Sequence, residues 1–170
     1  MTIAQSNSDA RRHIYGVLIG LFALLALFFS FVPIRNSLKN QRKDYILWYT
    51  EGKIVLNGGD IYKKGTDGMF EFMYPPTAAV LLAPVSALGL YPLIVVLDFI
   101  NLAAWVGSVL IGVYLITGRA WRQDPLLYLV PMVCTAPYVW DIYLLGQVNL
   151  LLLTLVLGAF VCLRLNRKWP

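Results

Sequence analysis

Hydrophobic and polar positions alternate along this chain in blocks: long apolar segments, one extended polar interval, and short basic turns. Residues 14–34 are almost uninterrupted apolar sequence, close to the ~20 residues that a helix needs to cross a bilayer. The run is too long for a cleavable leader, and no small-residue cleavage site follows it. Residues 35–74 then turn polar. Segment 77–90 is apolar again, but it is short and carries Pro84 and Gly89, so it predicts a re-entrant or interfacial helix. Residues 93–117 predict a second span, long enough to cross with tilt. A third span is expected over 125–143, interrupted by Pro131 and Pro137, and a fourth over 144–163 with Gln147 and Asn149 in its first turn. The expected fold class is an all-α integral membrane protein, a single membrane domain over 1–170 with four transmembrane helices and one interfacial helix.

Composition agrees with that pattern. Hydrophobic residues make up 59% of 170 positions, against roughly 45–50% in soluble domains, and the mean hydropathy is +0.67. The net charge of +5 is distributed in clusters beside the apolar segments: Arg11 and Arg12, Arg119 and Arg122, and Arg164, Arg167 and Lys168. If 77–90 does not cross, parity brings all three clusters to the cytoplasmic side, as the positive-inside bias requires. Both termini are then cytoplasmic, while loop 35–74 and the Gly146-Gln147 turn face outward. The loop itself carries Arg35, Lys39, Arg42, Lys43, Lys53, Lys63 and Lys64 against five acids, so its outward placement rests on parity. A bacterial plasma (inner) membrane is the expected location. No basic helix or RNA-binding signature accompanies the charge, which argues against nucleic acid. Cys134 and Cys162 lie in apolar runs without metal or redox spacing and read as buried free thiols.

The polar interval contains the candidate chemistry. It opens on Arg42-Lys43-Asp44-Tyr45, continues through Trp48-Tyr49, Gly52, Leu56, Gly58, Ile61 and Tyr62, and closes on Phe72-x-Tyr74-Pro75-Pro76. The two prolines return the chain sharply to the bilayer: Pro75 keeps Tyr74 out of the helical region, and Pro76 suits the first turn of a helix. Together with Gly146-Gln147-x-Asn149 near the end of the chain, this pattern resembles the polyprenyl-phosphate-sugar-dependent membrane glycosyltransferases. In particular it is similar to glycosyltransferase family 87 of the GT-C class, which includes α-mannosyltransferases such as those acting on phosphatidylinositol mannosides. The resemblance runs from Ile14 to Leu163. It implies a lipid-phosphate sugar donor, a glycolipid or glycan acceptor, an extracytoplasmic site, and a catalytic acid on the first outer loop, which maps onto Asp44. Family members are longer, so the chain is expected to be an N-terminal part of such an enzyme, one half of a split enzyme that works with a C-terminal partner chain, or a truncated copy.

The same roles follow from the chemistry. Sugar transfer with inversion needs a base for the acceptor proton and positive charge for the departing phosphate. Asp44 beside Arg42 and Lys43 supplies both at one membrane edge, although a solvated loop acid and a pair of headgroup anchors would look the same in sequence. Glu51, seven residues on, shares a helical face with Asp44 and is a candidate contact for substrate hydroxyls. Asp60 in Gly58-Gly59-Asp60 reads as a turn acid. Asp98, Asn101, Trp105 and Ser108 recur at helical spacing as one polar stripe within a span, where an ionisable group marks a candidate site or an interhelical bond. Gln147 and Asn149 are candidate sugar-hydroxyl contacts, and Tyr74 is expected at the interface. The expected substrate-binding set is therefore Arg42, Lys43, Glu51, Tyr74, Asp98, Asn101, Gln147 and Asn149. No cofactor and no metal site is expected, with a carboxylate-held divalent cation left open. Two other classes fit the hydropathy: a small multi-pass scaffold, or half of a transporter with Asp98 as coupling site, although no inverted repeat is evident.

Overall fold

A computed structural model describes residues 2–38, 43–62, 72–118 and 124–165, the side chains of 2–12, 36–38 and 43 excepted. Among the described residues the chain is entirely helical: α1 (Thr2–Leu38), α2 (Lys43–Leu56), α3 (Pro76–Leu88), α4 (Leu90–Thr117), α5 (Leu126–Leu145) and α6 (Asn149–Arg164). Three of these are long and apolar enough to cross a membrane, over His13–Arg35, Leu90–Thr117 and Leu126–Leu145. This is an all-α membrane protein. At 16 and 13 residues, α6 and α3 rise only about 24 and 20 Å.

Hydrogen bonds and packing define two ends of the bundle. At one end, α1 finishes while α4 and α6 begin, and Phe29 of α1 packs against Tyr143 near the end of α5 (ring centroids 5.8 Å apart). At the other, the Arg164 guanidinium donates to the carbonyls of Tyr114 (3.3 Å) and Leu115 (2.6 Å) and lies over the Tyr114 ring. Those carbonyls belong to the last turn of α4, where positive charge is favoured; the Tyr114 carbonyl also accepts the Gly118 N–H at 2.8 Å. Gly118 ends α4 in the left-handed region (φ 71°), and a Cβ there would come within 2.7 Å of the Arg164 guanidinium.

Four features differ from the sequence reading. The polar interval is not simply a loop, since 14 of its residues form α2. The fourth hydrophobic helix starts at Asn149 rather than Leu144, because Gly146 takes φ 77° and the Gly146 and Gln147 N–H groups both bond the Ile142 carbonyl. Leu144 and Leu145 thus belong to the end of α5, and Gln147 lies in the turn between the helices. Pro131 and Pro137 do not interrupt α5, which runs unbroken from Leu126 to Leu145. Cys134 is exposed on the outside of the bundle, and Cys162 is half-buried.

Helices α2 and α3 run side by side in the same direction. Trp48 packs on Tyr74 just before α3, and Gly52, one turn further along α2, meets Ala83 and Ser86 in the second half of α3. Tyr45, Leu47, Trp48, Phe72, Ala79, Leu93, Ile94 and Leu97 form the buried cluster that fastens this pair to the start of α4. Gly52 is what permits the close approach: a Cβ there would overlap the Ser86 side chain, which is itself fully buried. Replacing Gly52 by Ala should therefore cost a net ~1–3 kcal/mol through overpacking, despite the better helix propensity of Ala. Ser86→Gly in the same chain should recover most of that loss. Unfolding in detergent across the four members of the cycle measures it; equal stability of Gly52→Ala and the parent would contradict the packing.

Candidate functional site

The first turn of α2 has free backbone N–H groups, which makes it a favourable place for an acid. Asp44 occupies it, half-buried. Its Oδ2 accepts a hydrogen bond from the Tyr74 phenol at 3.2 Å, across 30 residues of chain. Tyr74 is set by what surrounds it. Pro75 takes an extended conformation (φ −57°, ψ 142°) and α3 begins at Pro76. The Tyr74 ring lies 4.3 Å from that of Trp48 and 5.7 Å from that of Phe72. Tyr62 donates to the Tyr74 carbonyl at 3.3 Å. Burial, and then the neighbouring charge of Asp44, raise the Tyr74 phenol above its usual value of 10.0, so it stays a donor to the carboxylate at physiological pH.

The next residue on α2 points inward. The Tyr45 hydroxyl lies 3.1 Å from Asp98 Oδ1 and 3.0 Å from the Tyr143 carbonyl, both within donating distance. The Tyr143 hydroxyl in turn donates to the Asp98 backbone carbonyl at 3.1 Å. One turn along α2, Trp48 Nε1 donates to the Gly146 carbonyl at 3.0 Å. The Tyr45 ring rests on Gly146 so closely that a Cβ there would come within 2.7 Å of it. Burial, and then Asp98, push the Tyr45 phenol far above its usual range. The turn that ends α5 is thus held by two aromatic side chains of α2, and this brings Gly146-Gln147-x-Asn149 beside the first turn that carries Asp44.

The polar stripe on α4 bonds a different neighbour at each step. Asp98 meets Tyr45 of α2, Asn101 Nδ2 donates to the Gln147 carbonyl (3.0 Å), Trp105 Nε1 donates to Thr135 of α5 (2.9 Å), and Ser108 bonds Thr154 of α6 (2.8 Å). All four residues are buried. Asp98 Oδ2 and Asn101 Oδ1 have no partner among the described residues, and neither does Oε2 of Glu51, which is 8% exposed. Burial raises the Glu51 carboxyl above its usual value. The Asn149 amide donates to Gln147 Oε1 at 2.8 Å on the exposed side of the turn.

The predicted residues therefore separate into two layers. Asp44, Tyr74, Gln147 and Asn149 lie at an accessible end of the bundle, Asp98 and Asn101 are enclosed beneath it, and Glu51 is buried further along α2. Arg42 falls outside the described residues, and Lys43 is described only as the first residue of α2. Asp60 Oδ1 accepts the Tyr62 N–H at 2.9 Å, the local bond of a turn acid. Among the described residues no group of three His, Cys, Asp or Glu is placed to hold a metal ion. Reading the sequence assigned no role to Tyr45, Trp48 or Tyr143. The available signal was that Tyr45 and Trp48 share a helical face, with Tyr143 one turn before Gly146.

A half-buried carboxylate oriented by a phenol, at the rim of an apolar helix bundle and backed by a polar layer, is suited to accepting a proton from a substrate that arrives at the membrane edge. Comparison with known proteins bears on the chemistry. The model of glycosyltransferase family 87 matches residues 72–170, which takes in Tyr74, the α4 stripe and the Gly-Gln-x-Asn turn, with Asp44 preceding the matched segment. No curated protein and no solved structure matches the chain. With more than half of its length matched, and three helices long and apolar enough to cross a bilayer, the chain belongs to glycosyltransferase family 87 as a membrane-embedded member.

Proposed function

We propose that this chain takes part in transferring a sugar, of mannosyl or arabinosyl type, from a polyprenyl-phosphate donor to a glycolipid or glycan acceptor at the extracytoplasmic face, with Asp44 as general base. The observation that carries this reading is the hydrogen bond between Tyr74 and Asp44. It joins the two ends of the polar interval on one side of the bundle and aims a carboxylate from a fixed position. Lys43 and Arg42, adjacent in sequence, are assigned to the donor phosphate, and Gln147 and Asn149 to sugar hydroxyls. Glu51, Asp98 and Asn101 are assigned a supporting role, because each is buried. A C-terminal partner chain is proposed to act together with this one, and no cofactor is assigned.

Asp44→Asn keeps the volume of the side chain and an acceptor for Tyr74, but its amide does not take up a proton at neutral pH. Turnover of polyprenyl-phosphate sugar in native membranes carrying the variant should fall by the ~10²–10⁴-fold typical of a lost general base. Donor binding and membrane insertion should persist. Asp60→Asn, whose carboxylate bonds only the local turn, should stay close to the parent, and the reverse order of effects would sink the assignment.

Sidedness is tested by single cysteines at Lys63 and Arg122 in a chain with Cys134 and Cys162 replaced by Ser. An impermeant thiol reagent applied to intact cells should label the first and spare the second. Labelling of position 122 alone would place Asp44 on the wrong face for this donor, and labelling of both would mean that segment 77–90 crosses the membrane and that Asp44 and Gln147 lie on opposite faces.

The buried Glu51 makes a third, independent prediction. Its folded pKa is raised by burial, so the carboxylic acid is the form the fold prefers. The stability it contributes is fully present below the ordinary glutamate value of 4.5 and is lost as pH rises through the raised one. Unfolding of the parent in detergent should thus become easier between acidic and neutral pH. Glu51→Gln should flatten that slope, and a slope unchanged by the substitution would contradict it.

A further inference from the structure

The position of Asp44 depends on a helix start with little of its own to hold it. The first N–H groups of α2 have no intrahelical partner, so that turn is prone to fray unless a side chain pins it. Tyr45, the residue after Asp44, is 2% exposed, and its ring is seated on Gly146. Its hydroxyl reaches two acceptors at once, the Asp98 carboxylate (3.1 Å) and the Tyr143 carbonyl (3.0 Å). Tyr143 closes the arrangement by donating to the Asp98 backbone. Asp98 comes from the first third of one span and Tyr143 from the end of another, so the clasp ties the start of α2 to two membrane helices. Asp98 is 5% exposed and Tyr143 is 0% exposed, so the clasp itself is closed to solvent, while Asp98 also borders a small cavity of about 130 Å³ with Ser30, Ile34 and Phe99.

We propose that Asp98 is a positioning residue for Asp44, acting through the Tyr45 hydroxyl, so that the span carboxylate sets where the loop carboxylate points. Asp44 is thereby held from two sides: its own Oδ2 by Tyr74, and its backbone by the clasp. The inference rests on Asp44 as base, and it assigns the buried carboxylate to geometry rather than to chemistry. It also gives Gly146 a reason to lack a side chain, since any Cβ there would displace the Tyr45 ring.

The test uses Tyr45→Phe, which keeps the ring seated and removes only the hydroxyl, together with Asp98→Leu and Asp98→Asn. In native membranes, Tyr45→Phe should lower kcat about 10–100-fold, the scale expected of a catalytic group displaced by about 1 Å, with KM for the lipid donor unchanged. Asp98→Leu should reproduce that loss, and Asp98→Asn, which retains an acceptor for Tyr45, should restore most of it. In an Asp44→Asn background Tyr45→Phe should add less than about 3-fold, because both changes act on one group. Hydrogen exchange on the full chain in detergent should show amides 44–48 losing protection in Tyr45→Phe and Asp98→Leu, while α6 amides are unchanged. Full inactivation by Asp98→Asn would overturn the inference, since it would make Asp98 a reacting group. Unaltered exchange at 44–48, or an undiminished Tyr45→Phe effect in the Asp44→Asn background, would overturn it equally. Near-normal turnover by Asp44→Asn alone would instead refute the base reading, and the exchange comparison would still decide whether the clasp holds the start of α2.

Discussion

The seat of Tyr45 on the backbone of Gly146 determines where α2 lies, and most of the accessible end of the molecule follows from it. A residue with a side chain at position 146 would meet the ring at 2.7 Å and would also have to adopt φ 77°. Glycine resolves both demands, and a turn that exposes carbonyls results. Tyr45 and Trp48 use those carbonyls, so a helix terminus that would otherwise carry unsatisfied acceptors becomes the anchor for a separate helix. Ring burial and hydrogen bonding act at the same place, and neither would fix α2 as well alone.

This anchoring separates two tasks within the bundle. Beneath the rim, polar side chains of α4 join α2, α5 and α6, each by a bond to a different neighbour. In hydrocarbon such bonds matter because a buried polar group left alone is costly. At the rim, a carboxylate and an amide pair stay accessible. A glycosyltransferase embedded in a membrane needs that combination: a rigid frame inside the bilayer, and a few polar groups held at its edge.

How far the sequence disclosed this arrangement depended on how strong each local signal was. The three long apolar helices were evident from hydropathy, and the polar stripe from Asp98 to Ser108 appeared at its helical spacing and proved to be interior. The Pro75-Pro76 start of α3 was legible because proline constrains the backbone directly. By contrast, α2 was hidden. It is short and mixed in charge, and it carries Gly52 and the β-branched Ile54 and Val55, so the shared face of Asp44 and Glu51 was its one helical sign; its stability comes from packing on α3 and α4. The boundary between α5 and α6 was misplaced because Leu144 and Leu145 continue an apolar run whose end is decided by the conformation of Gly146. Asp44 and Tyr74 were each visible as candidates, while their hydrogen bond across 30 residues was not. The clasp was invisible for a related reason. Tyr45 beside a charged run reads as an interfacial aromatic, and only tertiary structure shows it pointing inward.

The pairing of α4 with α6 has a consequence for the surrounding lipid. Asn101 meets Gln147 at the top of α6, and Tyr114 meets Arg164 at its foot. Between those two polar levels α4 rises only ~20 Å, against a hydrocarbon core of ~30 Å. The outward side of α4 nevertheless extends past both levels, from the exposed Val95 and Phe99 to the exposed Ile116, a rise of ~32 Å that matches such a core. Asn101 and Ser108 are thus carried at hydrocarbon depth on the inward side of a helix whose outward side stays apolar, and the bilayer meets a surface that does not reveal the polar seam behind it.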